Sequence, residues 1–179
     1  SMEAKPFSIG VRIEHPQSVI DKARWGRHAG HPLLGAADYK LVHHAKNGRA
    51  VYSFCMCPGG TVVAATSEPE RVVTNGMSQY SRAERNANAG MVVAVEPSDY
   101  PRDADAFIKA LGKSYGIENY AEGEYHPLAG IVLQRQLEST AYVVGGSDYS
   151  APGQLVGDFI AGRPSTAFGE VQPSYKPGI

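Results

Sequence analysis

The chain has 179 residues, enough to bury roughly 70% of its unfolded surface, so it needs neither a disulfide nor a metal to fold. Lys and Arg number 17 and Asp and Glu 18, and the net charge of −1 argues against a nucleic-acid backbone as the main partner, because such binders concentrate basic charge. No apolar run approaches the ~20 residues that cross a bilayer, and no signal peptide is visible, so the expected setting is the cytoplasm, without a membrane partner.

Ser1 and Met2 resemble a cloning remnant ahead of an internal start, and residues 1–4 read as remnant and linker. Residues 5–179 then read as a single domain excised from a longer protein. From Phe7 to Glu14, the residues Phe7, Ile9, Val11 and Ile13 alternate on one side, the period-two signature of a half-buried strand. Pro16 can open a short helix over Gln17 to Arg24. The stretch Trp25 to Ala37, with Gly26, Gly30, Pro32 and Gly35, predicts a loop. Tyr39 to Ala45 and Arg49 to Met56 flank Lys46-Asn47-Gly48 and predict a β-hairpin.

Cys57-Pro58-Gly59-Gly60 predicts a sharp turn, and Thr61 to Thr66 a further strand. Val72 to Thr74 is short and runs into Asn75-Gly76, a second turn signal. Met77 to Gly90 is polar and predicts a loop, whereas Met91 to Val95 is a fully apolar strand. Ser98 or Asp99 can cap a helix from Pro101 to Leu111. Leu128, Ile131, Val132, Arg135 and Leu137 fall at helical spacing, and a helix from Pro127 to about Val144 ends at Gly145-Gly146. A last short helix is expected over Gly153 to Ala161, followed by irregular chain. Strands first and helices later predict α+β: an antiparallel or barrel-like sheet with helices packed to one side or end.

No Gly-x-Gly-x-x-Gly follows a strand and no Gly-x-x-x-x-Gly-Lys occurs, so a nucleotide cofactor has no cradle in these residues. Cys55 and Cys57 are expected to be free thiols on one strand face, because a disulfide that close is strained. The turn from Cys57 through Gly59 and Gly60 lets backbone N–H groups approach a ligand; the alternative is two small buried residues and a tight turn. His43 and His44 lie near the cysteines in sequence, but neighbours on a strand point to opposite faces, so they do not make a zinc site.

The loop from Thr74 to Gly90 holds Asn75, Ser78, Arg82, Arg85, Asn86 and Asn88. These donors suit a carboxylate, a carbonyl or a phosphate. Its other reading is a solvated surface loop. Arg163, in Gly162-Arg163-Pro164-Ser165-Thr166, either binds an anion or turns the chain after a helix. Arg12, His15, Tyr39, Lys40 and His126 stand as single ionisable residues with no pattern around them.

Five blocks occur in a specific order: Phe7 to Pro16 (FSIGVRIEHP), Ser53 to Gly60 (SFCMCPGG), Thr74 to Ser78 (TNGMS), Asn86 to Gly90 (NANAG), and Ala151 to Gln154 (APGQ) with Ala161 to Ser165 (AGRPS). Together they resemble the middle region of a bacterial family of FAD-dependent, or NAD(FAD)-utilising, dehydrogenases, from about Lys5 to Ile179. The resemblance implies an inserted substrate or cap domain, covering an FAD held by flanking segments of the same polypeptide. It implies FAD in the full-length protein, none in this fragment, and a small-molecule substrate. In such enzymes the cofactor does the hydride chemistry while the protein orients substrate and sets the charge near the ring. On composition, the Cys57–Gly60 turn and the Asn75–Asn88 loop are then placed at the seam, with Cys57, Gly59, Gly60, Asn75, Ser78, Arg82, Asn86, Asn88 and Arg163 as substrate- or flavin-facing candidates. Two other readings compete: a self-contained module binding a small anion or nucleic acid through Arg82 and Arg85, and a cysteine-dependent enzyme in which a His activates Cys55 or Cys57.

Overall fold

A computed structural model describes residues 2–169 and 171–178; Ser1, the start of the expected remnant, and Ile179, the end of the resemblance, lie outside them. In chain order the elements are β1 (Phe7–Pro16), α1 (Gln17–Trp25), β2 (Val42–His44), β3 (Ala50–Cys57), β4 (Gly60–Ala64), β5 (Thr74–Ser78), β6 (Asn86–Val95), α2 (Ala104–Leu111), α3 (Ala129–Val144), β7 (Ala151–Pro152), α4 (Val156–Ala161) and β8 (Pro177–Gly178). Short 3-10 turns lie at Gly26–His28, Pro97–Asp99 and Ile117–Asn119.

The fold is α+β. Four antiparallel strands run in the order β1-β6-β3-β2, with helices beside them. The sheet stays open at β1 and β2, so the barrel-like alternative is corrected: among the described residues no strand pairing joins its two edges. β1 pairs with β6 along all ten residues, from Phe7 opposite Val95 to Pro16 opposite Asn86. β4 and β5 form a separate hairpin, and β7 and β8 a short parallel pair.

The apolar core sits at one end of the β1–β6 pair. Phe107 and Val132 are fully buried, with Val95, Tyr100, Ile117 and Ala129 around them and Phe7 and Ile9 packed against them. Phe7 stacks on Tyr100 with ring centroids 5.5 Å apart. α2 supplies Phe107; it starts where Asp103 accepts from the Ala106 N–H at 2.7 Å and stops at Gly112 in the left-handed region. The cap is thus Asp103 rather than Ser98 or Asp99, because Pro97–Asp99 forms its own 3-10 turn.

Two expectations about the middle of the chain are corrected. Asn75-Gly76 is not a turn but the centre of β5, where Gly76 lies opposite Val62 with no positive φ. The polar stretch Met77 to Gly90 is not one loop: β5 runs to Ser78 and β6 begins at Asn86. The last helix also begins at Val156 rather than Gly153.

Candidate functional site

At the other end of the β1–β6 pair the sequence changes character. Asn86, Ala87, Asn88, Ala89 and Gly90 are all buried, whereas side chains alternate between sheet faces. The alanines therefore take one face and the asparagines the other. Arg12 lies opposite Gly90 and Glu14 opposite Asn88, so Arg12 and Asn88 are diagonal neighbours on the asparagine face.

Arg12 is the centre of this end. Its Nη1 donates to Asn88 Oδ1 at 2.7 Å and to the Cys55 carbonyl at 3.4 Å, and its Nη2 donates to Asn75 Oδ1 at 3.2 Å. Among the described residues no carboxylate forms an ion pair with Arg12. Its buried Nε has no partner among the described residues, and neither has Asn88 Nδ2. A half-buried cation without a counterion and with spare donors is poised for an acceptor or an anion. The β4–β5 hairpin closes over this cluster at Gly76. A Cβ there would sit 2.1 Å from Asn88 Oδ1, 2.5 Å from Arg12 Nη1 and 2.9 Å from Cys57 Sγ. Glycine at 76 is therefore required by close approach, not by a turn.

The turn between β3 and β4 is buried from Cys57 to Gly60 and is locked from two sides. Gly59 has φ +48, and its N–H donates to Gln17 Oε1 at 2.7 Å. Gln17, buried at the start of α1, also donates to Asp21 and to the Ala37 carbonyl. Ser78 Oγ donates to the Pro58 carbonyl at 2.7 Å. The Gly59 N–H is thus committed to Gln17, and Gly59, Gly60 and Ser78 shape the site as scaffold.

Arg85 and Asn86 do a different job. Arg85 donates to the Gln172 side chain and carbonyl at 2.7 and 2.6 Å, and Asn86 Nδ2 donates to Glu14 and to the Gln172 carbonyl at 2.9 and 3.0 Å. The Glu14 carboxylate accepts in turn from the Ser174 N–H. These bonds clamp residues 172–174 over β1 and β6. Beside the clamp lies an open cleft of about 240 Å³ lined by Gly60, Thr61, Glu84, Arg85, Asn86 and Ser174. Small-molecule sites usually hold roughly 300–1,000 Å³, so this cleft does not enclose a ring cofactor by itself.

The expected site residues separate. Cys57, Gly59, Gly60, Asn75, Ser78 and Asn88 come together around Gly76 and the turn, and Asn86 lies at the clamp. Arg82 contributes its carbonyl, which a Cβ on Gly59 would meet at 1.8 Å, while the residue itself is exposed. Arg163 is outside the cluster: it pairs with Asp158 at 2.6 Å, five residues before it across the end of α4. The residues that sequence reasoning passed over are Arg12, Gln17 and Gly76. Arg12 had one signal, a charge in mid-strand on the polar side of an alternating pattern.

Two further features bear on chemistry. His15 Nε2 lies 2.9 Å from the Tyr39 hydroxyl, and burial lowers the His15 pKa and raises that of Tyr39. Burial also pushes the Cys57 thiol up, with Cys55 adding to the rise. Among the described residues no histidine hydrogen-bonds to either cysteine, no cluster of three or more metal-ligating side chains occurs, and His43 and His44 are exposed. No helix of the described residues is long and apolar enough to cross a membrane.

The donor set around Arg12 fits a group rich in acceptor oxygens. A relative in Clostridium beijerinckii, an uncharacterized protein, is 49% identical over 179 residues, covering 99% of this chain and 30% of its own length. The chain thus spans about a third of the relative it matches. The family model described as "FAD-dependent protein, C-terminal domain-like" matches residues 6–179, nearly the whole chain, and the chain belongs to that family.

Proposed function

We propose that this chain is the substrate-side domain of an FAD-dependent oxidoreductase, inserted between segments that hold the cofactor, and that its Arg12 end faces the flavin. The observation that carries this reading is the Arg12 guanidinium: half-buried, held by Asn88 and Asn75, and without an anionic partner among the described residues. A cation presented in this way stabilises negative charge on whatever acceptor meets it, and does so strongly where water is excluded. FAD, when bound, supplies the hydride chemistry. Arg12 sets the charge beside the ring, Asn88 fixes the guanidinium from behind, and Asn75, exposed at the surface of the hairpin, lies nearest the seam. The 49% relative supports the plan, because a chain that covers 30% of it leaves room for cofactor-binding segments elsewhere.

The test is a visible absorption spectrum of two proteins after incubation with FAD and removal of the excess: this 179-residue chain and the longer polypeptide that carries it. The expected outcome is a yellow longer polypeptide and a colourless chain. FAD bound tightly and in equal stoichiometry by the chain alone would overturn the covering role. A longer polypeptide that stays colourless would overturn the flavoprotein reading.

A further inference from the structure

Cys55 and Cys57 were expected to be two thiols on one face of a regular strand. The backbone between them is not regular. β3 pairs Phe54 with Gly90 and Cys57 with Asn88, leaving Cys55 and Met56 against Ala89 alone, so one extra residue bulges out of β3. Cys55 takes up the bulge with φ +47, a left-handed conformation that residues other than glycine seldom adopt. Here the two Sγ atoms are 4.0 Å apart. The pair is also asymmetric: Cys55 is exposed and Cys57 is buried. Cys57 Sγ borders the same point as Arg12 Nη1 and Asn88 Oδ1, the space that Gly76 leaves open.

We propose that Cys55 and Cys57 are a redox-active dithiol that reduces low-molecular-weight disulfides and closes into an internal disulfide. Exposed Cys55 is the attacking sulfur. Its thiolate displaces one half of the substrate disulfide, forming a mixed disulfide and releasing one thiol, which takes up the proton that Cys55 lost. Cys57 then gives up its proton and attacks the Cys55 sulfur. The second half of the substrate leaves as a thiol with that proton, and the Cys55–Cys57 bond forms. Two protein thiols and one disulfide thus become one protein disulfide and two thiols, with two electrons passed to the substrate. A low-molecular-weight dithiol reverses the reaction. The division of labour follows from burial, since buried Cys57 is reached only by the sulfur already beside it and exposed Cys55 is reached from solvent. The proposal stands apart from the flavin reading, because neither step draws on a cofactor.

The test uses the longer polypeptide that carries this chain, incubated with oxidised glutathione without oxygen, quenched in acid, alkylated and cut with trypsin. The tryptic peptide from Ala50 to Arg71 contains both cysteines. Its expected state is lighter by two hydrogens, unalkylated and free of glutathione, and dithiothreitol restores two alkylatable thiols. Cys57→Ser is expected to trap one glutathione on Cys55, and Cys55→Ser to leave Cys57 unmodified. A wild-type peptide that stays fully reduced, or that keeps glutathione on Cys55 without closing, would overturn the proposal. So would a Cys57→Ser protein that takes up no glutathione.

Discussion

The two ends of the β1–β6 pair share strands but not physics. At the Phe7–Val95 end the sheet is held by packing: Phe107 and Val132 are fully buried, and Tyr100 stacks on Phe7. At the Arg12–Asn88 end the buried atoms are polar, and shape is fixed by directed hydrogen bonds and by glycines that admit close contact. The first end satisfies itself. The second leaves Arg12 Nε and Asn88 Nδ2 without partners among the described residues. Proteins tolerate such unpaired groups mainly where something else completes them, which is why function is assigned to the second end.

Substitutions at the two ends separate these roles. The largest effect is expected at the packed end. Phe107→Ala removes a fully buried ring and should lower stability by about 3–5 kcal/mol in chemical denaturation. A loss below about 1 kcal/mol would mean that the core lies elsewhere, since that is the size of an ordinary surface change. At the polar end Gly76→Ala forces a Cβ to within 2.1 Å of Asn88 Oδ1. Overpacking of this kind costs about 1–3 kcal/mol. It should also loosen the grip on Arg12, so an unchanged denaturation midpoint would show that the hairpin does not close over the cluster.

The smallest effect is electrostatic and depends on pH. Arg49 pairs with Asp99 at 2.7 Å and, with the Glu96 backbone N–H, holds the Asp99 carboxyl at about 2, below its ordinary 3.8. A carboxylate whose pKa is depressed on folding stabilises the fold above its unfolded pKa, and that contribution is lost as pH falls through the folded value. Wild type should therefore lose stability between about pH 4 and pH 2 more steeply than Asp99→Asn. The comparison is read from thermal midpoints across that window. Parallel curves for the two proteins would remove Asp99 from the acid limb.

Much of the packed end was legible in the sequence because its signals are local. Phe7 and Ile9 alternate and pack on the core, although Val11 of the same pattern is exposed; Lys46-Asn47-Gly48 turns a hairpin, and the stripe from Leu128 to Leu137 makes a helix. The polar end was legible as a composition but not as a geometry. Asn75-Gly76 carries a local turn signal, yet its role comes from Arg12, 63 residues before Asn75, and from Asn88, which Arg12 also holds. Arg12 looked like an isolated charge for the same reason. Arg163 could be read as an anion site or as a chain turn because its partner, Asp158, lies five residues back in α4, across the helix end, where no local pattern marks the pair. The bulge at Cys55 left no trace in the pattern at all, because an extra residue in a strand changes register and not composition.

The central claim is that the Arg12 end faces the flavin, and the reduction potential of FAD bound to the longer polypeptide tests it most directly. Three proteins suffice: wild type, Arg12→Met, and Gln134→Ala beside the cleft at the packed end. Removing a cation beside the ring disfavours electron uptake. Arg12→Met should lower the potential by on the order of 30 mV, the two-electron equivalent of about 1.4 kcal/mol, while Gln134→Ala leaves it unchanged. Equal potentials in wild type and Arg12→Met would contradict the account and move the flavin away from this end of the sheet.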